Sequence, residues 1–489
     1  AGGFGGAPKF PPSMVLEFLL RHHARTGDNL ALRMAERTLE GMARGGLYDQ
    51  LAGGFARYSV DAQWVVPHFE KMLYDNALLL RAYTTWWRST GSPLARRVVE
   101  EVADFIVRDL ETPSGGLASS LDADAAGVEG LTYAWTPDQL AEVLGSADGD
   151  RAATLLAVTA AGTFEHGSST LQLPDDPDPA EATWFSSVRR RLLEARATRP
   201  QPARDDKVVS SWNGLAVAAL ASAGALLERP DWLEAAERCA THVLDVHVVD
   251  GRLRRASRGG VVGHADAVAD DIGNLAEGLL ALHQATGGAR WLDAARVLLA
   301  DALERFAAHD GGFHDTAHDA EPLYLRPRSA ADNAEPSGQS ALAGALVTLG
   351  ALTGDTTTVG HGARATEAGL GLAALDPRFA GWSLAVAEAI AAGPVQVAVV
   401  GEGDAAVELL AAARRSTSPG AVVVAGAPDA NGIPLLANRL LVQGNPAAYV
   451  CRGFVCDLPV TGVAGLEKAL ARAAAAVGSR GEAQSTVER

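Results

Sequence analysis

Along most of the chain the apolar positions recur with helical spacing. Ile272, Leu275, Ala276, Leu279 and Leu280 fall at i, i+3, i+4, i+7 and i+8, which places them on one face of a helix. An apolar helix of this kind opens near an Asn three times, at Asn76, Asn213 and Asn274. Each is followed by a second amphipathic helix (Leu94-Ala-Arg-Arg-Val, Trp232-Leu-Glu-Ala-Ala, Trp291-Leu-Asp-Ala-Ala) and then by a glycine turn at Gly115, Gly251 or Gly311. The Asn-to-Gly distances are 39, 38 and 37 residues, an internal repeat whose unit is a helical hairpin.

The repeat predicts six hairpins between residues 11 and 392. A pair at residues 13–24 and 29–43 precedes the first Asn, and Gln339 in Ser337-Gly-Gln-Ser-Ala-Leu-Ala-Gly opens the last. The long interval between Asn76 and Asn213 is assigned a degenerate unit at residues 136–160. Long polar and aromatic links between hairpins favour a ring over an open solenoid, as loops framing a pocket would. Residues 170–204, Pro-rich and acidic, read as a surface insertion (about 165–205). After Pro394 the pattern changes to Val-rich strands at 395–400 and 420–425, with a helix at 405–413, further strands at 440–442 and 447–451, and a closing helix at 465–476. The expected fold is mainly α: an (α/α)6 six-hairpin toroid over residues 1–392 with a small α/β domain over 393–489.

Composition narrows the function classes. With 489 residues, 48% of them hydrophobic and 21% charged, the chain as a whole is not disordered. A net charge of −17 repels phosphate backbones and anionic lipid, so no nucleic-acid or membrane partner is expected. No run reaches about 18 apolar residues, and no signal segment opens the chain. Three cysteines (Cys239, Cys451, Cys456) are too few for a disulfide framework, and a cytoplasmic location is the expectation.

Several motifs carry a family resemblance. Gly2-Gly-Phe-Gly-Gly-Ala-Pro-Lys-Phe-Pro, Gly46-Leu-Tyr-Asp-Gln-Leu-Ala-Gly-Gly-Phe-Ala-Arg-Tyr-Ser-Val-Asp and Trp64-Val-Val-Pro-His-Phe-Glu-Lys-Met-Leu-Tyr-Asp-Asn-Ala resemble the spermatogenesis-associated, thioredoxin-domain-containing proteins and their bacterial relatives. So do Ser120-Leu-Asp-Ala-Asp, Asp205-Asp-Lys-Val-Val-Ser-Ser-Trp-Asn-Gly-Leu, Ala334-Glu-Pro-Ser-Gly and Cys451-Arg-Gly-Phe-Val-Cys. The resemblance implies a thioredoxin-like domain ahead of a six-hairpin barrel similar to N-acylglucosamine 2-epimerases and six-hairpin glycosidases. This chain has no Cys-x-x-Cys, so any redox role of such a domain is not carried over to it.

The candidate chemistry lies at the predicted helix starts. Pro67 suits a first helical turn, which would place His68, Lys71 and Asp75 on one face and Glu70 and Tyr74 on another. Five polar groups there are costly to bury unless they line a wet pocket or pair with one another, as in a capping ion network. His68, Glu70, Asp75 and Asp206 are the candidate acid/base groups. Asp122, Asp124, Asp205, Lys207, Asp271 and Glu335 also sit just before or at predicted helix starts. Acids in such places serve first as caps, yet in a ring they converge on one opening. Asp49, Lys71 and Asn213 join them, with the aromatics Tyr48, Trp64, Tyr74, Trp135 and Trp212 suited to stacking on sugar rings. Paired carboxylates would serve glycoside hydrolysis or epimerisation of a sugar-like substrate. Two other classes stay open: a non-catalytic sugar-binding module, and a barrel working with a thioredoxin-like partner domain. No cofactor or metal is expected. His314 and His318 have i, i+4 spacing but follow a Gly-Gly turn, and Cys451 and Cys456, five residues apart, could bridge or bind metal but read first as two small apolar residues beside a strand end.

Overall fold

The computed structural model describes residues 2–322 and 324–475. Two helical hairpins come first: α1 (Ser13–Thr26) with α2 (Asn29–Arg44), and α3 (Leu73–Thr90) with α4 (Pro93–Phe105). Three helices follow outside the repeat: α5 (Pro137–Leu144), α6 (Ser146–Leu155) and α7 (Ala182–Ala197). The repeat resumes with α8 (Ser210–Leu227) and α9 (Pro230–His247), α10 (Ala269–Thr286) and α11 (Ala289–Arg305), α12 (Gly338–Thr353) and α13 (Thr356–Ala373). The last helix of the ring is α14 (Gly381–Ala392).

The inner wall is α1, α3, α8, α10, α12 and α14, each packed on the next, with α14 returning to α1. The closure is chemical as well as steric. Glu388 on α14 pairs with Arg25 and, at 2.8 Å, with His22 of α1, and Arg21 donates to the Ala385 carbonyl at 3.1 Å. Neighbouring inner helices touch backbone to backbone: a Cβ on Gly214 would lie 2.5 Å from the Asn274 main chain, and one on Gly381 2.7 Å from Val15 N. By length and composition α8 could cross a bilayer, but 72% of it is buried inside the molecule.

The repeated amide has a structural job. Asn76 accepts from Phe55 N–H at 2.7 Å and donates to the Phe55 carbonyl at 3.0 Å. Asn213 does the same to Leu117 (2.8 and 3.0 Å). Gln339 accepts from Phe313 N–H at 3.4 Å. In all three the partner is the apolar residue after a Gly-Gly pair, so α3, α8 and α12 each pin the turn that precedes them, whereas Asn274 of α10 donates to Ser211 Oγ at 2.9 Å. The pinned backbone groups are buried and would otherwise be unpaired.

Two expectations are corrected. The sixth inner place belongs to α14, not to residues 136–160. The latter, as α5 and α6, pack with α7 around Trp135, Leu140, Leu156 and Phe185, a separate apolar cluster beside the ring. Their amphipathic spacing matched the repeat, but no Asn clamp ties them to it. Nor does a helix begin at Pro67. Residues 67–68 pair with Tyr58–Ser59, and Lys71–Met72 with Ser120–Leu121. Strand pairing on both sides holds 67–72 extended, and α3 starts only at Leu73.

Beyond the ring, Val395–Val400 pairs in parallel with Val422–Gly426 and antiparallel with Ala447–Arg452, which carries Val455–Cys456 at the edge. Alternation decides the two faces. Ala398, Val400, Val422 and Val424 pack into the core of the ring, whereas Val395, Val397 and Val399 pack with α15 (Asp404–Arg414) and α16 (Val463–Ala475). The last position expected for the closing helix, residue 476, lies outside the described residues, and 440–442 forms no strand. Cys451 and Cys456 lie opposite each other across strands and are disulfide-bonded rather than two free apolar residues. Cysteine usage therefore no longer argues for a reducing compartment.

Candidate functional site

The first turns of α3, α8 and α10 meet at one end of the ring and carry Tyr74 and Asp75, Trp212, and Asp270 and Asp271 respectively. Glu335 reaches the same place from the loop ahead of α12. Its carboxylate accepts from Trp212 Nε1 at 3.0 Å and from Ser211 Oγ. Tyr74 lies edge-on to Trp212, ring centres 4.9 Å apart. Asp271 accepts from the N–H groups of Ser211 (3.1 Å) and Val268 (3.0 Å), which makes it both a cap of α10 and a strut to α8. Arg57 pairs with Glu70 at 3.1 Å, and Arg255 stands 3.6 Å from Asp271. The collar thus holds five carboxyls (Glu70, Asp75, Asp270, Asp271, Glu335) and two guanidiniums.

The environment separates these acids. Burial, then the Asp270 charge, pushes Glu335 up to about 7, although Ser211 and Trp212 pull the other way. Burial raises Asp75 well above the carboxylate range, with Arg57 opposing and Glu70 and Glu335 adding. Asp271 rises through burial and the neighbouring Asp270. Asp75 Oδ2 is buried with no hydrogen-bond partner. A carboxyl that keeps its proton beside one that exchanges it near neutrality is an arrangement suited to proton transfer.

The other candidates lie elsewhere. In the extended segment His68 and Glu70 share the more open face and Lys71 the buried one. His68 binds Glu129 at 2.7 Å and stacks on Tyr58. Lys71 instead joins Asp49 (2.8 Å) and Arg196 in a buried ion triad behind the collar. Tyr48 is buried, donating to Glu101 at 2.5 Å. Trp64 is wholly buried, with Nε1 on the Gly2 carbonyl, and Trp135 sits in the cluster beside the ring. Trp64 and Trp135 are enclosed by core, and Tyr48 lies beside a small cavity next to the Asp49–Lys71–Arg196 triad, away from the collar. Asp122 and Asp124 are exposed. Asp205 pairs with Lys207 at 3.0 Å and Asp206 with Arg204 at 2.6 Å, so the two acids are neutralised locally at a strand edge. Asn213 is spent on its turn clamp. The sequence reading did not single out Arg57 and Arg255, each the residue just before a short strand (Tyr58–Ser59 and Ala256–Arg258). Arg57 does lie inside a family-like motif. Among the described residues no group of three or more His, Cys, Asp or Glu is arranged to hold a metal ion.

No family model matches the chain. Spermatogenesis-associated protein 20 of Homo sapiens is 30% identical over 533 residues, covering 96% of this chain and 67% of that protein. The Rattus norvegicus protein of the same name is 30% identical over 534 residues, covering 96% and 66%. An uncharacterized protein, B0495.5, of Caenorhabditis elegans is 28% identical and covers 96% and 70%. The chain spans about two thirds of the length of these relatives. Among solved structures, a D-mannose isomerase is 12% identical with a TM-score of 0.48, covering 75% of this chain and 80% of that one. The unsaturated glucuronyl hydrolase of Bacillus sp. GL1 is 12% identical with a TM-score of 0.45, covering 74% and 78%.

Proposed function

The chain belongs to the family of spermatogenesis-associated protein 20, and on that premise we propose that its collar performs acid/base chemistry on a sugar-like small molecule. The observation that carries this reading is Glu335, a carboxyl fixed by Ser211 and Trp212 and poised at about 7. A group that titrates at the working pH can both take and return a proton. Trp212, buttressed edge-on by the buried Tyr74, supplies an apolar face for a pyranose ring, Arg57 and Arg255 orient its hydroxyls, and Asp75 donates a hydrogen bond as a neutral acid. Epimerisation and glycoside hydrolysis both use these parts.

The test is incubation of the full chain with a panel of aldoses, N-acylhexosamines and disaccharides in D2O. Epimerisation places solvent deuterium on the sugar carbon, hydrolysis releases a monosaccharide without it, and Glu335→Gln stops either. A panel with no turnover, but with binding that survives Glu335→Gln, would sink the acid/base reading and favour a binding module.

A further inference from the structure

A cavity of about 210 Å³ lies further along the ring axis from the collar, under the C-terminal sheet. It is lined by α3 from Arg81 onward, seven residues past Tyr74 and so about 10 Å further along that helix. Its remaining walls come from the other five inner helices and the loop after α15, including Thr417 and Ser418. It far exceeds the ~10–15 Å³ that one water needs. The collar chemistry does not use it.

Its charges do not balance. Four arginines (Arg21, Arg81, Arg88, Arg414) line it against two glutamates, Glu17 and Glu277. Arg21 pairs with Glu17 at 2.8 Å, and Arg81 with Glu277 at 2.7 Å. Arg414 donates to the carbonyls of Ala225 (3.1 Å) and Ala285 (2.7 Å), at the ends of α8 and α10. Arg88 is half-buried and makes no hydrogen bond or ion pair among the described residues; its Nε is buried and unbonded, and Glu17, already paired with Arg21, is the carboxylate whose charge reaches it. A guanidinium that makes no ion pair keeps its planar fork of donors free for an anion. Trp382, 1% exposed, also lines the cavity, and its indole N–H is unbonded too. Gly344 faces that N–H: a Cβ there would lie 3.5 Å from it. Two unspent donors thus stand in a cavity with a surplus of two positive charges.

We propose that this cavity binds a compact phosphate-bearing anion, held by the Arg88 fork and the Trp382 indole N–H. A phosphate monoester carries about −1.5 to −2 charges near neutrality, which matches the surplus, and its planar oxygen pairs suit a guanidinium fork. Free phosphate and a small phosphate ester share this chemistry. The site is separate from the collar and does not depend on the collar being catalytic.

The test is calorimetric titration and thermal melting of the full chain with inorganic phosphate, glucose 6-phosphate, malonate and glucose. Phosphate or glucose 6-phosphate should bind and raise the melting temperature, whereas glucose should not. Preference for the ester over inorganic phosphate identifies an ester site, and the reverse a free-phosphate site. Arg88→Met should weaken binding by roughly tenfold or more, yet melt close to wild type without ligand, because no hydrogen bond or ion pair is lost with it. Arg88→Lys, which keeps the charge without the fork, should bind with intermediate strength and serves if the Met variant does not fold. The proposal is overturned if neither phosphate binds at millimolar concentration, if malonate binds more tightly than both, or if the Arg88 variants bind like wild type.

Discussion

Trp212 Nε1 donates to Glu335 Oε1 at 3.0 Å, tying the first turn of α8 to the loop ahead of α12 across the mouth of the ring. The pair is 123 residues apart in sequence. Because the carboxyl is gripped on one oxygen by the indole and on the other by Ser211, its position is set before any ligand arrives.

Glu335→Gln should abolish turnover and also change how stability depends on pH. The native carboxyl titrates at about 7 against an ordinary value of 4.5. Its contribution to stability is therefore complete below about 4.5 and lost as pH rises through 7, at up to about 1.4 kcal/mol per pH unit. Glutamine carries no such loss. Relative to wild type the variant should gain stability between pH 5 and pH 8 in urea unfolding. A constant difference across that range would show that Glu335 is not held protonated.

Asn213→Ala should be a folding mutant, not a binding mutant. It strands the buried N–H and carbonyl of Leu117 and the carbonyl of Val209. At about 1–3 kcal/mol for each buried unpaired group, a loss of roughly 3 kcal/mol is expected. Ligand affinity per folded molecule should be unchanged.

Asp49→Asn should destabilise by about 3–5 kcal/mol, because Lys71 and Arg196 would be left as buried charges without their counter-ion. Burial alone would raise the Asp49 pKa, but Arg196 and Lys71 hold it far below the carboxylate range. The stability it lends is present above about 4 and lost as pH falls further. The acid limb of a wild-type stability profile should therefore be steeper than that of the variant.

Gly214→Ala should destabilise by about 3 kcal/mol or more, the upper end for overpacking, since the new Cβ would meet main chain that cannot rotate away. At an exposed helical position the same change would be mildly stabilising. Gly381→Ala tests the closing contact between α14 and α1 in the same way. Unfolding midpoints for the two variants measure how tightly the ring is shut.

The repeat was readable in the sequence because its cause is local and periodic. A helix that buries one face shows that face at every third and fourth residue, and a buried amide recurs at a fixed place, pinning the preceding turn in α3, α8 and α12. The convergence of helix-start acids could be anticipated too, once a ring was assumed, and Glu335, Asp271, Asp75, Glu70, Tyr74 and Trp212 do meet at one end. Other features were settled by partners distant in sequence. Whether 67–72 is helix or strand depended on Tyr58–Ser59 and Ser120–Leu121, which no spacing announces. That choice turned Lys71 away from His68 and Glu70 and into a triad with Asp49 and Arg196. The sixth inner helix looks in sequence like any short apolar helix, and it is the contact of Gly381 with Val15 and the pairing of Glu388 with Arg25 and His22 that identify α14 rather than 136–160 as the ring's last stave. Periodicity reports which side of an element is buried. It does not report what buries it, and the chemistry of a charged residue depends on that second fact.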